Sequence, residues 1–156
     1  MTFLEKTGDA RRLRHWDGDM EADYIYTAGI AGERFFRALR KDGTLVTAQC
    51  ERCGIEFLPP RIYCERCLTP VKRWGQAPPT ALVESFTVAR LDLEGRRLPQ
   101  PEVWALVRFE GVEGGFVHRV LSTPEKVRTG LRLRPVIRPA PERTGKITDI
   151  LGFQPA

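Results

Sequence analysis

No cysteine occurs outside residues 50–67, and that absence narrows the chemistry open to the chain. The four that are present, Cys50, Cys53, Cys64 and Cys67, form two C-x2-C pairs, so no thiol is left over for covalent catalysis. Histidine is scarce too, His15 and His118 being the only two. No apolar run approaches the ~20 residues a membrane helix needs, which excludes helical insertion. Nor is there a long block of one sign of charge. Lys and Arg number 25 against 20 Asp and Glu, a formal +5 that allows a polyanionic partner without demanding one.

Recognisable catalytic motifs are missing as well. Ser85, Ser122, His15 and His118 are the obvious nucleophile and base candidates, yet none sits in a nucleophile elbow or phosphate loop. His118 reads as a strand-packing or surface histidine, and Glu84, Glu102, Glu110 and Glu113 as solvated carboxylates. No catalytic residue is expected in this chain. With no recognisable signal peptide and no further cysteine, the expected setting is a soluble protein of the reducing cytoplasm, away from membranes.

What is present is a metal-ligand pattern. In Cys50-Glu51-Arg52-Cys53 and Cys64-Glu65-Arg66-Cys67 a tight turn aims two thiolates at one point, which suits tetrahedral zinc with Zn–S near ~2.3 Å. Gly54 follows the first pair, where such a turn calls for positive φ. Arg52, Arg66, Lys72 and Arg73 stand nearby to offset the surplus negative charge of four thiolates. Two disulfides are the competing reading, and a rubredoxin-like iron site uses similar knuckles. Four cysteines fill a tetrahedral shell and leave no open position for water or substrate, so the expected metal is structural.

Three segments follow from the patterning. Residues 1–43 hold a polar arm, in which Trp16, Met20, Tyr24 and Tyr26 call for a surface to pack on, and an amphipathic helix from Gly29 to Arg40. That helix has Ile30, Phe35, Phe36 and Leu39 on its apolar stripe and Gly43 as its stop. Residues 44–76 form the ribbon, with strands at Leu45–Ala48 and Ile55–Leu58. The proline-rich Gln76–Thr80 stretch is a boundary, and residues 77–156 read as strands at 81–89, 102–109, 115–121 and 132–137. Pro135 hints at an edge, Arg132 and Arg134 share one strand face, and the apolar tail from Arg143 to Phe153 should dock. The fold class is therefore mainly β: an N-terminal helix, a rubredoxin-like zinc ribbon and a small five-stranded OB-fold barrel.

The order of parts carries a resemblance. Phe35-Phe36-Arg37-Ala38-Leu39, Gly43-Thr44-Leu45, the first knuckle with Gly54 and Phe57, Pro59-Pro60-Arg61, the second knuckle, Trp74, Ser85-Phe86-Thr87-Val88, Ala105-Leu106-Val107, Phe109-Glu110-Gly111 and Gly130-Leu131 resemble the zinc-ribbon plus OB-fold proteins associated with acyl-CoA enzymes. Residues 26–36 and 145–150 look like a subgroup found beside thiolase-like proteins in degradation of aromatic or other unusual acids. The resemblance implies a small accessory subunit that binds a thiolase-like catalytic subunit, helps hold an acyl-CoA and lacks the partner's catalytic cysteine. It departs at Ala77-Pro78-Pro79-Thr80-Ala81, where family members often carry a glycine-rich turn, which implies a stiffer junction.

Coenzyme A presents a 3′-phosphate and a pyrophosphate, so basic side chains flanking the ribbon, Arg61, Lys72 and Arg73, are the candidate contacts. The alternative function is a single-stranded nucleic-acid-binding OB module, with Phe86, Trp104, Phe109 and Phe116 as stacking platforms. Strand aromatics more often fill a core, and nucleic acid is not the expected partner.

Overall fold

The computed structural model describes residues 27–156, so the aromatic arm read from Trp16 to Tyr26, and His15 with it, lies outside the described residues. Helix α1 runs Gly29–Asp42. It is followed by strands β1 (Val46–Gln49), β2 (Glu56–Leu58), β3 (Arg73–Gln76), β4 (Ala81–Leu91), β5 (Arg97–Phe109), β6 (Val112–Gly114), β7 (Phe116–Val120), β8 (Arg132–Ile137) and β9 (Ile150–Pro155).

Helix α1 stops where Gly43 turns left-handed at φ 69°, its N–H donating back to the carbonyls of Ala38 and Leu39. The buried stripe is Ala31, Phe35 and Leu39, with Phe36 half-buried beside it. Ile30, expected in that stripe, is 64% exposed. It sits in the first turn, and four residues before Phe35's neighbour Arg34 it falls on the helix face turned from the core.

The ribbon strands form the sheet β3-β1-β2, all antiparallel. A fourth strand, β6, joins from the barrel half of the sequence and runs parallel to β2, pairing Glu56, Phe57 and Leu58 with Val112, Glu113 and Gly114. Ribbon and barrel are thus sewn together by main-chain hydrogen bonds. Their side chains agree: Phe35, Leu39, Leu45 and Leu58 share one apolar core with Val83, Val107, Phe109, Phe116 and Phe153 of the barrel. A much smaller core, Ala48, Phe57, Val71, Cys50 and Cys64, lies inside the ribbon.

Strands β4-β5-β7-β9-β8 close into a barrel. Strand β5 begins at Arg97, five residues before the stretch read from sequence, because Arg97 pairs with Leu91 at the far end of the β4 hairpin. Between Arg97 and Glu102 the register to β4 breaks, and the two prolines, Pro99 and Pro101, fall in that break. Pro135 lies within β8, opposite Phe153, but the β4 ladder reaches only Arg132 and Leu133, so Pro135 stands beyond its end and costs that ladder no donor. Arg132 and Arg134 are both exposed around buried Leu133, as the strand period requires. The apolar tail docks within its own barrel: β9 pairs antiparallel with β8 and touches β7 at Val120↔Phe153, burying Ile150 and Phe153.

Two buried details hold these parts. Asp149 accepts hydrogen bonds from the Thr144, Gly145 and Lys146 N–H groups and the Thr144 hydroxyl. Arg143, beside it, donates from Nε to the Arg138 carbonyl at 2.7 Å and lays its guanidinium over Gly43 and the Lys41 carbonyl. The last turn of α1, rich in unpaired carbonyls, therefore ends against a cation supplied by the tail. Burial alone pushes the Asp149 carboxyl up, but the four donors outweigh it and leave its pKa below the ordinary value.

A depressed carboxyl stabilises the fold above its unfolded pKa of about 3.9, and that contribution is lost as pH falls through the lower folded value. Asp149→Asn should therefore lower Tm by on the order of 5 °C near neutral pH. The gap from wild type should close below about pH 4 in thermal melts. Gly114 has φ 92°, and a Cβ there would meet the Leu58 carbonyl oxygen at 2.2 Å. Gly114→Ala should cost about 2 kcal/mol or more in urea unfolding, because it strains the β2–β6 seam on both counts.

Candidate metal centre

The two knuckles are built alike. In the first, the Cys50 N–H donates to the Ile55 carbonyl at 2.8 Å and Gly54 N–H returns to the Cys50 carbonyl at 2.8 Å. In the second, Cys64 N–H donates to Thr69 at 3.0 Å and Leu68 N–H to the Cys64 carbonyl at 2.9 Å. Gly54 takes φ 71°, and Leu68, in the matching place, takes φ 55°. The sequence reading found the first of these and missed the second, since a leucine gives no signal for a left-handed turn. Leu68 is 75% exposed, so its side chain is not what holds it there; the repeated knuckle bonding is.

This bonding brings all four sulfurs within 4.8 Å of one another. Cys50 and Cys67, one from each knuckle, are 3.6 Å apart at Sγ. A tetrahedron with ~2.3 Å Zn–S bonds has edges near ~3.8 Å, so the donor set fits a single zinc. All four cysteines are free thiols. Cys53 N–H points at Cys50 Sγ at 3.4 Å, the N–H···S contact expected of a thiolate held by a turn.

Without a cation the four groups compete for protons. The Thr69 hydroxyl, 3.3 Å from Cys67 Sγ, brings the Cys67 pKa down to about 6. The neighbouring Cys67, with burial and the other thiols, pushes Cys53 up to about 12. A divalent cation removes this conflict by stabilising every sulfur as thiolate. Four sulfurs complete the shell, so bound zinc would supply folding energy and no site for substrate.

The basic residues around the site are distributed unevenly. Arg66 reaches away to Glu113 at 3.1 Å and ties the second knuckle to β6. Arg61 is paired with Glu65 and stacks over the Phe57 ring, 5.4 Å from its centroid. Lys72 and Arg73 are exposed at the start of β3. None of Arg61, Lys72 and Arg73 lines a described cleft. A basic groove of ≈430 Å³ lies instead between α1 and β3, lined by Arg34, Arg37, Lys41 and Trp74. Arg34 stacks there on the Trp74 ring at 4.7 Å. The signal for it was the helical spacing of three cations, which becomes a groove only when α1 lies beside β3.

The catalytic candidates are placed as follows. His118 is half-buried with its ring against Phe153 and Trp104, and Arg119 N–H donates to its Nδ1 at 2.9 Å. Burial, with the charge of Arg119 added, lowers its pKa and keeps it neutral. Glu84, Glu102 and Glu113 pair with Arg108, Arg119 and Arg66. Of the four aromatics considered as stacking platforms, Phe109 and Phe116 are buried in the core. Trp104 donates to Glu102 at 3.2 Å, and Phe86 alone of the four is exposed.

A four-cysteine ribbon packed on a five-stranded OB barrel defines a class of two-module proteins, and comparison with known proteins agrees with it. Residues 37–71 match the family model "ChsH2, rubredoxin-like zinc ribbon domain" and residues 74–138 match "ChsH2, C-terminal OB-fold domain". The chain belongs to this zinc-ribbon plus OB-fold family. Among solved structures it is similar to a protein of unknown function from the DUF35 family of Sulfolobus solfataricus. The two share 28% identity at TM-score 0.67, over 82% of this chain and 87% of that one. It is also similar to a chain of an Ltp2-ChsH2(DUF35) aldolase, with 25% identity at TM-score 0.56, over 78% of this chain and 91% of that one. No curated protein matches. No helix among the described residues is long and apolar enough to cross a membrane.

Cys50→Ser should lose stoichiometric zinc in elemental analysis and lower Tm by on the order of 10 °C. A strong chelator should do the same to the wild type. Unchanged stability after metal loss would mean that the metal does not hold the ribbon.

Proposed function

We propose that this chain is a non-catalytic, zinc-containing accessory subunit of a thiolase-type acyltransferase complex that acts on a β-ketoacyl-CoA. The degradation of an aromatic or otherwise unusual acid is the proposed setting. One observation carries the reading: the chain shares its two-module fold with a chain of an Ltp2-ChsH2(DUF35) aldolase and spans 91% of that chain's length. The chain's own chemistry supports the same division of labour. Its thiols converge on one closed site, His118 is packed against two rings, and Glu84, Glu102 and Glu113 pair with arginines. The catalytic nucleophile and the acid–base groups belong to the larger subunit.

The acyl-CoA is proposed as a ligand shared with that subunit. Arg61, Lys72 and Arg73 remain the contacts proposed for its phosphates, and the Arg34–Arg37–Lys41 groove supplies a second set of cations beside a stacking ring. A second reading of the reaction is favoured by that same similarity, since the related complex is an aldolase. Both reactions break a carbon–carbon bond beside an acyl-CoA, but thiolysis consumes free CoA and retro-aldol cleavage does not. Single-stranded nucleic acid finds less support, because two of the four aromatics needed as platforms are inside the core.

Affinity capture of the full chain from its native host at near-physiological salt should bring down a larger enzyme at fixed stoichiometry, read by intact-complex mass. The eluate should cleave β-ketoacyl-CoA substrates only when CoA is supplied. CoA-independent cleavage of β-hydroxyacyl-CoA substrates would replace the thiolase by an aldolase. Recovery of the chain alone, or with nucleic acid, would overturn the accessory-subunit reading.

A further inference from the structure

Among the described residues, the outer edge of β4 is open beyond Val83. Strand β8 pairs with β4 only at Ala81 and Leu82, after which Val83 N–H donates to the Leu131 carbonyl at 3.0 Å and its carbonyl accepts from Gly130 N–H at 2.8 Å. From Glu84 to Leu91, no further backbone hydrogen bond forms on that side among the described residues. The other side of β4 pairs with β5 from Ala81 to Leu91, interrupted at two bulges.

The register tells which groups face outward. Main-chain groups of an antiparallel strand point alternately to one neighbour and the other. Val83 points away from β5, and it pairs with Val107. The next β5 residues of the same parity are Ala105 and Val103, and across a one-residue bulge these pair with Phe86 and Val88. Phe86 and Val88 therefore turn their N–H and C=O groups to the open edge. Between this bulge and a second one at Ala89/Leu91 the ladder is regular over Ser85–Ala89, and Thr87 is its midpoint. Phe86 faces the same side as core residue Ala105 yet is 38% exposed, an aromatic ring at the lip of the barrel.

This segment is complementary to itself. An antiparallel copy placed on the edge with its two-fold axis at Thr87 sets Phe86 opposite Val88 of the second copy, and Val88 opposite its Phe86. Each such pair exchanges both of the outward N–H···O=C bonds. The side chains make aromatic–β-branched pairs, and Thr87 meets Thr87. At the ends, Glu84, now 3.1 Å from Arg108, comes opposite Arg90 of the second copy, so opposite charges flank the seam twice. No other element of the described chain offers an open edge with this internal symmetry.

We propose that two copies of this chain associate through the β4 edges, antiparallel about Thr87, extending each barrel wall into the other. The seam uses none of the metal ligands, and its test needs only the purified chain. Thr87 is exposed, and its side chain lies on the face away from the barrel interior, so it tolerates charge. The wild type should be a dimer by sedimentation and native mass at micromolar concentration. Thr87→Lys and Thr87→Asp, each placing like charges directly opposite at the axis, should each weaken dimerisation by about tenfold or more without lowering Tm of the monomer. Mixing the two variants should restore a dimer that contains one of each, because only a two-fold axis at residue 87 sets the position against itself. A monomeric wild type would overturn the proposal, whether a strand of another protein or residues 1–26 takes the edge. So would a dimer unchanged by both variants, or one that mixing does not restore.

Discussion

Four sulfurs brought within 4.8 Å of one another set the terms for the rest of the ribbon. Left as thiols they drive their proton affinities apart, with one lowered and another raised, and the ribbon core beneath them is only a handful of side chains. Such a core is too small to order two knuckles unaided, and a cation that binds four thiolates adds folding energy of its own. The strands β1, β2 and β3 are the carriers of this site. Their lengths, three and four residues, are those of strands that end where the ligands must be presented.

The metal would hold the ribbon, but it does not join ribbon to barrel. That task falls to β6, which lends a strand to the ribbon sheet, and to Leu58, which enters the barrel core one residue before the chain turns at Pro59 and Pro60. Helix α1 seals the junction from one side, and Arg143 and Asp149 lock the tail beneath the helix end. Distortion of the metal site would thus reach the barrel through β2 and β6. This rigid arrangement suits a subunit whose proposed contribution is shape, presented to an enzyme that carries the chemistry.

Much of the architecture was legible because its signals are local. Gly43, the two C-x2-C knuckles and the proline-rich stretch before Ala81 each act within a few residues, and the elements around them fall where local chemistry puts them. Ile30 failed as a core residue for the opposite reason: periodicity says which residues share a face, and the face buried depends on what lies across from it. The left-handed Leu68 and the strand lent by Val112–Gly114 had no sequence signature. The cations of α1 share a helical spacing, but they make a groove, as β6 makes a strand, only through a partner far along the chain.

From the residues alone one could read a tetrathiolate site, a mostly β fold of two modules and the absence of a catalytic thiol, because ligand spacing, strand alternation and composition are properties of short stretches. Where the modules join, which cations share a groove and which strand edge stays open depended on the closed barrel. Closure brings Val120 beside Phe153 and, among the described residues, leaves the side of β4 away from β5 without a neighbour beyond Val83, and pairings across such distances are chosen by the packing of the whole core.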